Sequence, residues 1–252
     1  MAKKSSKSDR QAVIDELRRK QKGAERRRGF AIVGVCALVA LLIVVAAAYR
    51  PVKNWYDLRK FKDIAIDSIG APASDCRKVE TKPADGNQDH KPTGTQITYT
   101  TAPPAFGPHW NEANVAPAPF NRKFYTEKDR PELEALVHNL EHGYTILWYD
   151  QSIADDSGQL NVIDGIADKF RSDSTNFRYK FIAAPWTADD EKESGKFPDG
   201  MHVALSHWSA KGGDSKDQQV GVFQYCSEPS GAALKQFMLD YPYTDAPEPD
   251  AM

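Results

Sequence analysis

Three histidines and one glutamate are the side chains of this sequence best suited to chemistry. His138 and His142 stand four apart in HNLEHGY, residues 138–144, with Glu141 between them, and His109 stands in PPAFGPHW, residues 103–110. On a helix, residues four apart share a face, so the two imidazoles of HNLEH point the same way. Neutral imidazoles at that spacing hold a transition metal such as copper or zinc. Formally the pattern is H-x-x-E-H, in which one class of zinc peptidases binds the metal through its histidines and polarises water through its glutamate. Glu141 is thus a remote candidate for a catalytic base. That class takes a further ligand from a second helix downstream, whereas Glu191, Glu193 and Glu228 here stand in loop-like sequence. A non-catalytic set of His109, His138 and His142 fits better, the Gly-Pro loop around His109 folding back onto the helix. His202 and His207 are reserve ligands. Five apart on one strand, they face opposite sides, so at most one of them can join.

Each residue also has an ordinary role to set against this. A histidine in the last turn of a helix, as His142 would be, is favoured by the helix dipole. His138 can be a hydrogen-bonded core residue, Glu141 can pair with a cation, and His109 can stack on Trp110.

The elements that must position these residues follow from periodicity. Pro131–His142 reads as a helix, with Pro131 at its start, acidic residues in its first turn and Gly143 as its stop. Leu160–Arg171 and Ser230–Leu239 read as two more. Thr95–Thr100, Tyr144–Tyr149, Arg178–Ala184, His202–Ser209 and Val220–Tyr225 are rich in Val, Ile, Tyr, Phe and Trp and read as strands. Strands and helices mixed in this way predict an α+β domain over residues 73–245, in two layers with a mixed sheet. Residues 71–94 read as a loop, and the acidic runs Asp155-Asp156 and Asp189-Asp190-Glu191 as solvated loops. The tail 246–252, rich in proline and acid, is expected to be disordered.

Residues 30–49, FAIVGVCALVALLIVVAAAY, carry no charge. About twenty such residues in a helix cross a hydrocarbon core of ~30 Å. Before them stand eleven Lys/Arg and four Asp/Glu, a net of +7; the whole chain is −2, which leaves −9 for residues 50–252. Basic flanks stay cytoplasmic, so residues 1–29 are read as a cytoplasmic tail and the C-terminal domain as extracytoplasmic. A cleaved signal peptide is the competing reading, though the basic segment before the run is long for one. Residues 50–72 read as a juxtamembrane helix and linker, with Trp55, Leu58 and Phe61 on one face.

Of the three cysteines, Cys36 lies inside the apolar run, while Cys76 and Cys226 lie in the outer domain. An oxidising compartment lets those two pair, the alternative being two separate buried thiols. With no C-x-x-C, redox catalysis and zinc ribbons are excluded. No G-x-G-x-x-G, P-loop or G-x-S-x-G stands in the chain. The basic tail already has a topological reason to exist, so nucleic acid is not expected as a partner.

The basic helix, the apolar run, PPAFGPHW and VHNLEHGYTILWY together resemble an actinobacterial membrane-anchored family, the domain-of-unknown-function 3105 family. Pro103, Pro104, Gly107, His109, His138, Asn139, Leu140, Glu141, His142 and Gly143 match its two motifs, and Phe106 stands where the family has a small polar residue. The resemblance implies an outward-facing domain and brings no established activity. The expected function is a non-enzymatic, single-pass envelope protein that binds other membrane or envelope proteins, as an accessory or assembly subunit of a larger membrane complex such as a respiratory one. Copper or zinc binding or delivery is the alternative, and hydrolysis a remote one.

Overall fold

Twenty uncharged residues, 30–49, lie within one long helix, α1 (Ser5–Arg59), and each is exposed. The computed structural model describes residues 5–84, 88–171, 175–211 and 218–252, with side chains from residue 10. The chain divides after Asp57 into a helical unit and an α+β unit from Leu58 onward. The expected juxtamembrane helix stops at Arg59, and a short 3-10 turn follows at Ile66–Ser68.

In the α+β unit the order is β1 (Glu80–Pro83), β2 (His90–Lys91), β3 (His109–Trp110), α2 (Leu133–Glu141), β4 (Thr145–Tyr149), α3 (Gln151–Asp155), α4 (Ser157–Asp168), β5 (Phe181–Pro185), α5 (Ala188–Ser194), β6 (Val203–Ser209), β7 (Val220–Cys226) and α6 (Gly231–Asp240). Five strands form one sheet in the order β1-β7-β6-β4-β5. Strands β4 and β5 run parallel and the other pairs antiparallel, so the sheet is mixed. Strands β2 and β3 form a separate parallel pair.

Side chains alternate across the main sheet because the period of a strand is two. Ile146, Trp148, Trp208, Phe223 and Tyr225 pack on one face with Leu133, Leu136, Val137 and Leu140 of α2. Leu147, Tyr149, Val203, Leu205 and Val222 pack on the other with Ile163 and Ile166 of α4 and Leu234 and Phe237 of α6. The α+β class and mixed sheet are as expected, but the two layers become three. Strands covered on both faces read as continuous apolar runs, which hides the second covering layer from sequence.

Four other expectations are corrected. Thr95–Thr100 is not a strand: the Ile97 N–H donates to Glu134 Oε1 (2.9 Å) instead of to a ladder partner. The expected loop at 71–94 contains β1, paired along the edge of β7; residues 85–87 of it lie outside the described residues. Asp189-Asp190-Glu191 forms the first turn of α5, where Thr187 and Asp190 make a capping box and the acids meet the positive end of the helix. Asp190 is buried and takes two hydrogen bonds from Arg130.

The fourth is the tail, which is ordered against the domain. Lys180, fully buried, donates through Nζ to the carbonyls of His142 (2.7 Å), Pro249 (2.8 Å) and Ala251 (2.7 Å), and the Glu248 N–H donates to Glu141 O (3.0 Å). A low-apolar composition carries no signal for an anchor made of backbone carbonyls. Gly143 lets the chain turn beneath that tail. Its φ is +88°, and a Cβ there would stand 2.3 Å from Tyr243 O. Gly143→Ala should therefore cost at least about 2 kcal/mol, from left-handed strain plus a backbone clash, read as a shifted midpoint in urea unfolding.

Cys76 and Cys226 form a disulfide. It joins the segment before β1 to the end of β7, and the Arg77 N–H donates to Tyr225 O beside it (2.7 Å).

Candidate metal centre

Helix α2 presents His138 and His142 on one face, as four-residue spacing requires, with their Nε2 atoms 3.0 Å apart. Every residue of α2 is buried, and Gly143 follows its C-cap, His142. His109 comes from β3 rather than from a loop, and its ring reaches the same place. The ring centroids of His109 and His138 are 4.8 Å apart. Sequence brought these three together with Glu141; it missed His90. Strand β2 lies beside β3 in the register His90↔His109, so neighbouring positions on two parallel strands carry two imidazoles to one face. A two-residue strand has no period to read, and no other signal marked His90.

Ligand-capable atoms of His90, His109, His138 and Glu141 all lie within 4.8 Å of one another. Glu141 Oε2 stands 2.9 Å from His109 Nε2 and 3.6 Å from His90 Nε2, while its Oε1 accepts from Gln88 Nε2 (2.9 Å). His109, His138 and Glu141 are buried; His90 forms the exposed edge, its side chain 43% accessible.

The outer hydrogen bonds fix which nitrogens face inward. His138 Nδ1 lies 2.6 Å from Trp110 O, and His109 Nδ1 lies 2.9 Å from Gly107 O. A carbonyl only accepts, so both rings carry a proton on Nδ1 and turn Nε2 toward Glu141 and His142. This is the arrangement in which metal-bound imidazoles are held by carbonyls behind them. His109 Nε2 and Glu141 Oε2 are buried and face each other, yet neither has a partner in hydrogen-bond geometry. The two atoms stand at ligand–ligand separation, where a proton or a metal ion between them satisfies both.

Burial, and next the neighbouring His109, push His138 down to about 4; burial, and next His138, push His142 down to about 4. Burial alone would raise Glu141, but the facing His109, the Gln88 amide and His138 together hold it below the ordinary carboxylate value. At neutral pH His138 and His142 are neutral imidazoles and Glu141 is ionised, the protonation state that binds metal. The unfolded chain, with histidines near 6.5, takes up protons that the metal-free fold refuses between pH 6.5 and about 4. The metal-free chain should thus lose stability as pH falls through that window, by roughly 1–2 kcal/mol per ring between pH 7.5 and 5, with no such slope above pH 7. Thermal melts across pH, with chelator present, check this.

The remaining expected residues lie elsewhere. His202 Nδ1 stands 2.8 Å from Asp150 Oδ2. His207, fully buried, sits between the carbonyls of Tyr144 (3.1 Å) and Asp245 (2.8 Å). Neither reserve ligand joins the set. The tryptophan ring against His109 is that of Trp208, edge-on at 6.3 Å, where a stack on Trp110 was the ordinary alternative. Trp110 instead donates to Thr95 O.

The family model described as Protein of unknown function (DUF3105) matches residues 90–252, a span that takes in the whole histidine set. No curated protein and no solved structure matches the chain.

Proposed function

This chain belongs to the DUF3105 family of proteins of unknown function, and we propose that it is a membrane-anchored protein whose extracytoplasmic domain binds a divalent transition metal, zinc or Cu(II), through His90, His109, His138 and Glu141. The observation that carries this reading is the convergence of the Nε2 atoms of His109 and His138, each backed by an Nδ1–H···O=C bond, on a buried carboxylate oxygen that has no hydrogen-bond partner. Three imidazoles and a carboxylate suit zinc or Cu(II). The set contains neither thiolate nor thioether, the ligands that favour Cu(I).

Location rests on separate support. The uncharged run 30–49 exposes Val, Leu and Ile all around, the basic residues precede it, and the disulfide belongs to an oxidising compartment. The H-x-x-E-H peptidase role is not carried forward, because Glu141 lies among the ligands, fixed by Gln88, where a base polarising water has to stand free. His90, at the accessible edge, is where an ion is loaded or handed to an envelope partner.

Titration of the detergent-purified full chain, carrying a tag free of histidine, tests the reading. Zinc or Cu(II) should bind at micromolar or tighter dissociation constant at pH 7.5 and be released by chelator. Heats indistinguishable from buffer for both metals would end it.

A further inference from the structure

We infer that this centre holds two ions, with Glu141 shared between them and the second ion carried by His142 and Glu248. The inference rests on the metal reading above and extends it to a residue set that reading does not use.

Two ligand sets meet at Glu141. One is His90, His109, His138 and Glu141; the other is Glu141, His142 and Glu248, and within each set the ligand-capable atoms lie within 4.8 Å of one another. His142 is outside the first set but adjacent to it, its Nε2 3.0 Å from His138 Nε2 and 3.6 Å from Glu248 Oε2. Its tethering differs from that of His109 and His138. No carbonyl holds its Nδ1, which is buried without any hydrogen-bond partner in a residue only 5% exposed. Neither ring nitrogen of His142 is bound to a backbone oxygen, and it is Nε2, between His138 Nε2 and Glu248 Oε2, that would take the second ion.

Glu248 reaches that place by construction. Its backbone N–H donates to Glu141 O at 3.0 Å, which joins the tail to the last turn of α2. Lys180 then ties the His142 carbonyl to the carbonyls of Pro249 and Ala251 on either side of the same strap. The clamp holds the Glu248 carboxylate over His142, and the Glu248 side chain remains half exposed.

Glu141 and Glu248 bring two negative charges to adjoining positions, and Glu248 lies beyond the first ligand set, where a second ion would use it. A carboxylate shared by two ions about 3.5–4 Å apart is a standard two-metal arrangement. The inner ion has three imidazoles and the deeper position. The outer ion has one imidazole, one shared and one terminal carboxylate, and solvent on its open side. It is therefore the weaker and more exchangeable of the two.

Equilibrium dialysis of the full chain in detergent against zinc, with metal and protein measured on the same samples, separates the possibilities. The wild-type chain should retain two zinc ions at saturation, in two affinity steps. Glu248→Ala, at a half-exposed position, should retain one and keep the tighter step unchanged. One ion in the wild type, as when His138 and His142 ligate a single metal, overturns this inference and leaves the metal reading standing. Two ions persisting in Glu248→Ala also overturn it. No retained zinc in the wild type overturns both.

Discussion

Replacing His109 with alanine should lower the affinity of the full chain for zinc or Cu(II) by more than about 100-fold. Removing a group that merely orients a ligand typically costs 10–100-fold in metal affinity. His109 is itself a ligand in the proposed set: it is fully buried, its tautomer is fixed by Gly107 O, and its Nε2 faces Glu141 at 2.9 Å. The same substitution at His90 should cost less, because that ring stands at the accessible edge where water can take its place. Isothermal titration of the two variants beside the wild type gives the order. Circular dichroism of each metal-free variant shows whether the fold is kept. Wild-type affinity in a folded His109→Ala chain would remove the central ligand from the account.

The second large effect concerns the disulfide. Cys76 and Cys226 are 150 residues apart, so the bond closes nearly the whole α+β unit. In the chain-entropy model a loop of that length is worth at most about 5 kcal/mol, and observed values are commonly 2–4 kcal/mol. The bond also fastens the entry of β1 to the end of β7, where the edge strand is only four residues long. The double substitution Cys76→Ser, Cys226→Ser should therefore lower the unfolding free energy by about 2–4 kcal/mol. Urea unfolding of the full chain, with and without reductant, reads the loss. Identical midpoints would show that the bond contributes nothing. In intact cells, an impermeant thiol reagent should label these cysteines only after reduction.

Much of the architecture was legible because it depends on local periodicity. Helix α2 has a stop at Gly143 and a run of apolar side chains, and β4 and β7 carry β-branched or aromatic residues at most positions. The i, i+4 pair on α2 is a local fact, so His138 and His142 could be paired from sequence. What escaped depends on long-range geometry. His90 reaches the centre only through a two-residue strand that aligns it with His109. Glu248 reaches it only because a fully buried lysine collects carbonyls from the end of α2 and from the C-terminal tail. Thr95–Thr100 shows the converse: its composition favours a strand, but a buried glutamate takes the backbone N–H that a ladder needs. The third layer escaped because a strand buried on both faces has no polar side to reveal what covers it.

Electrostatics explains why the centre suits a metal better than a protein-only network. A buried carboxylate is stabilised by donors, and here one of its oxygens accepts from Gln88 while the other faces His109 Nε2 at 2.9 Å. Burial holds His138 and His142 neutral well below physiological pH, so neither of these rings brings a positive charge to the carboxylate. A cation meets the need of both groups without a proton.

X-ray absorption on the zinc-loaded full chain is the most direct test of this centre. The account predicts a first shell of nitrogen and oxygen at about 2.0–2.1 Å, with imidazole scattering that weakens in His109→Ala. A shell of water oxygens alone, or one unchanged by that substitution, would contradict it.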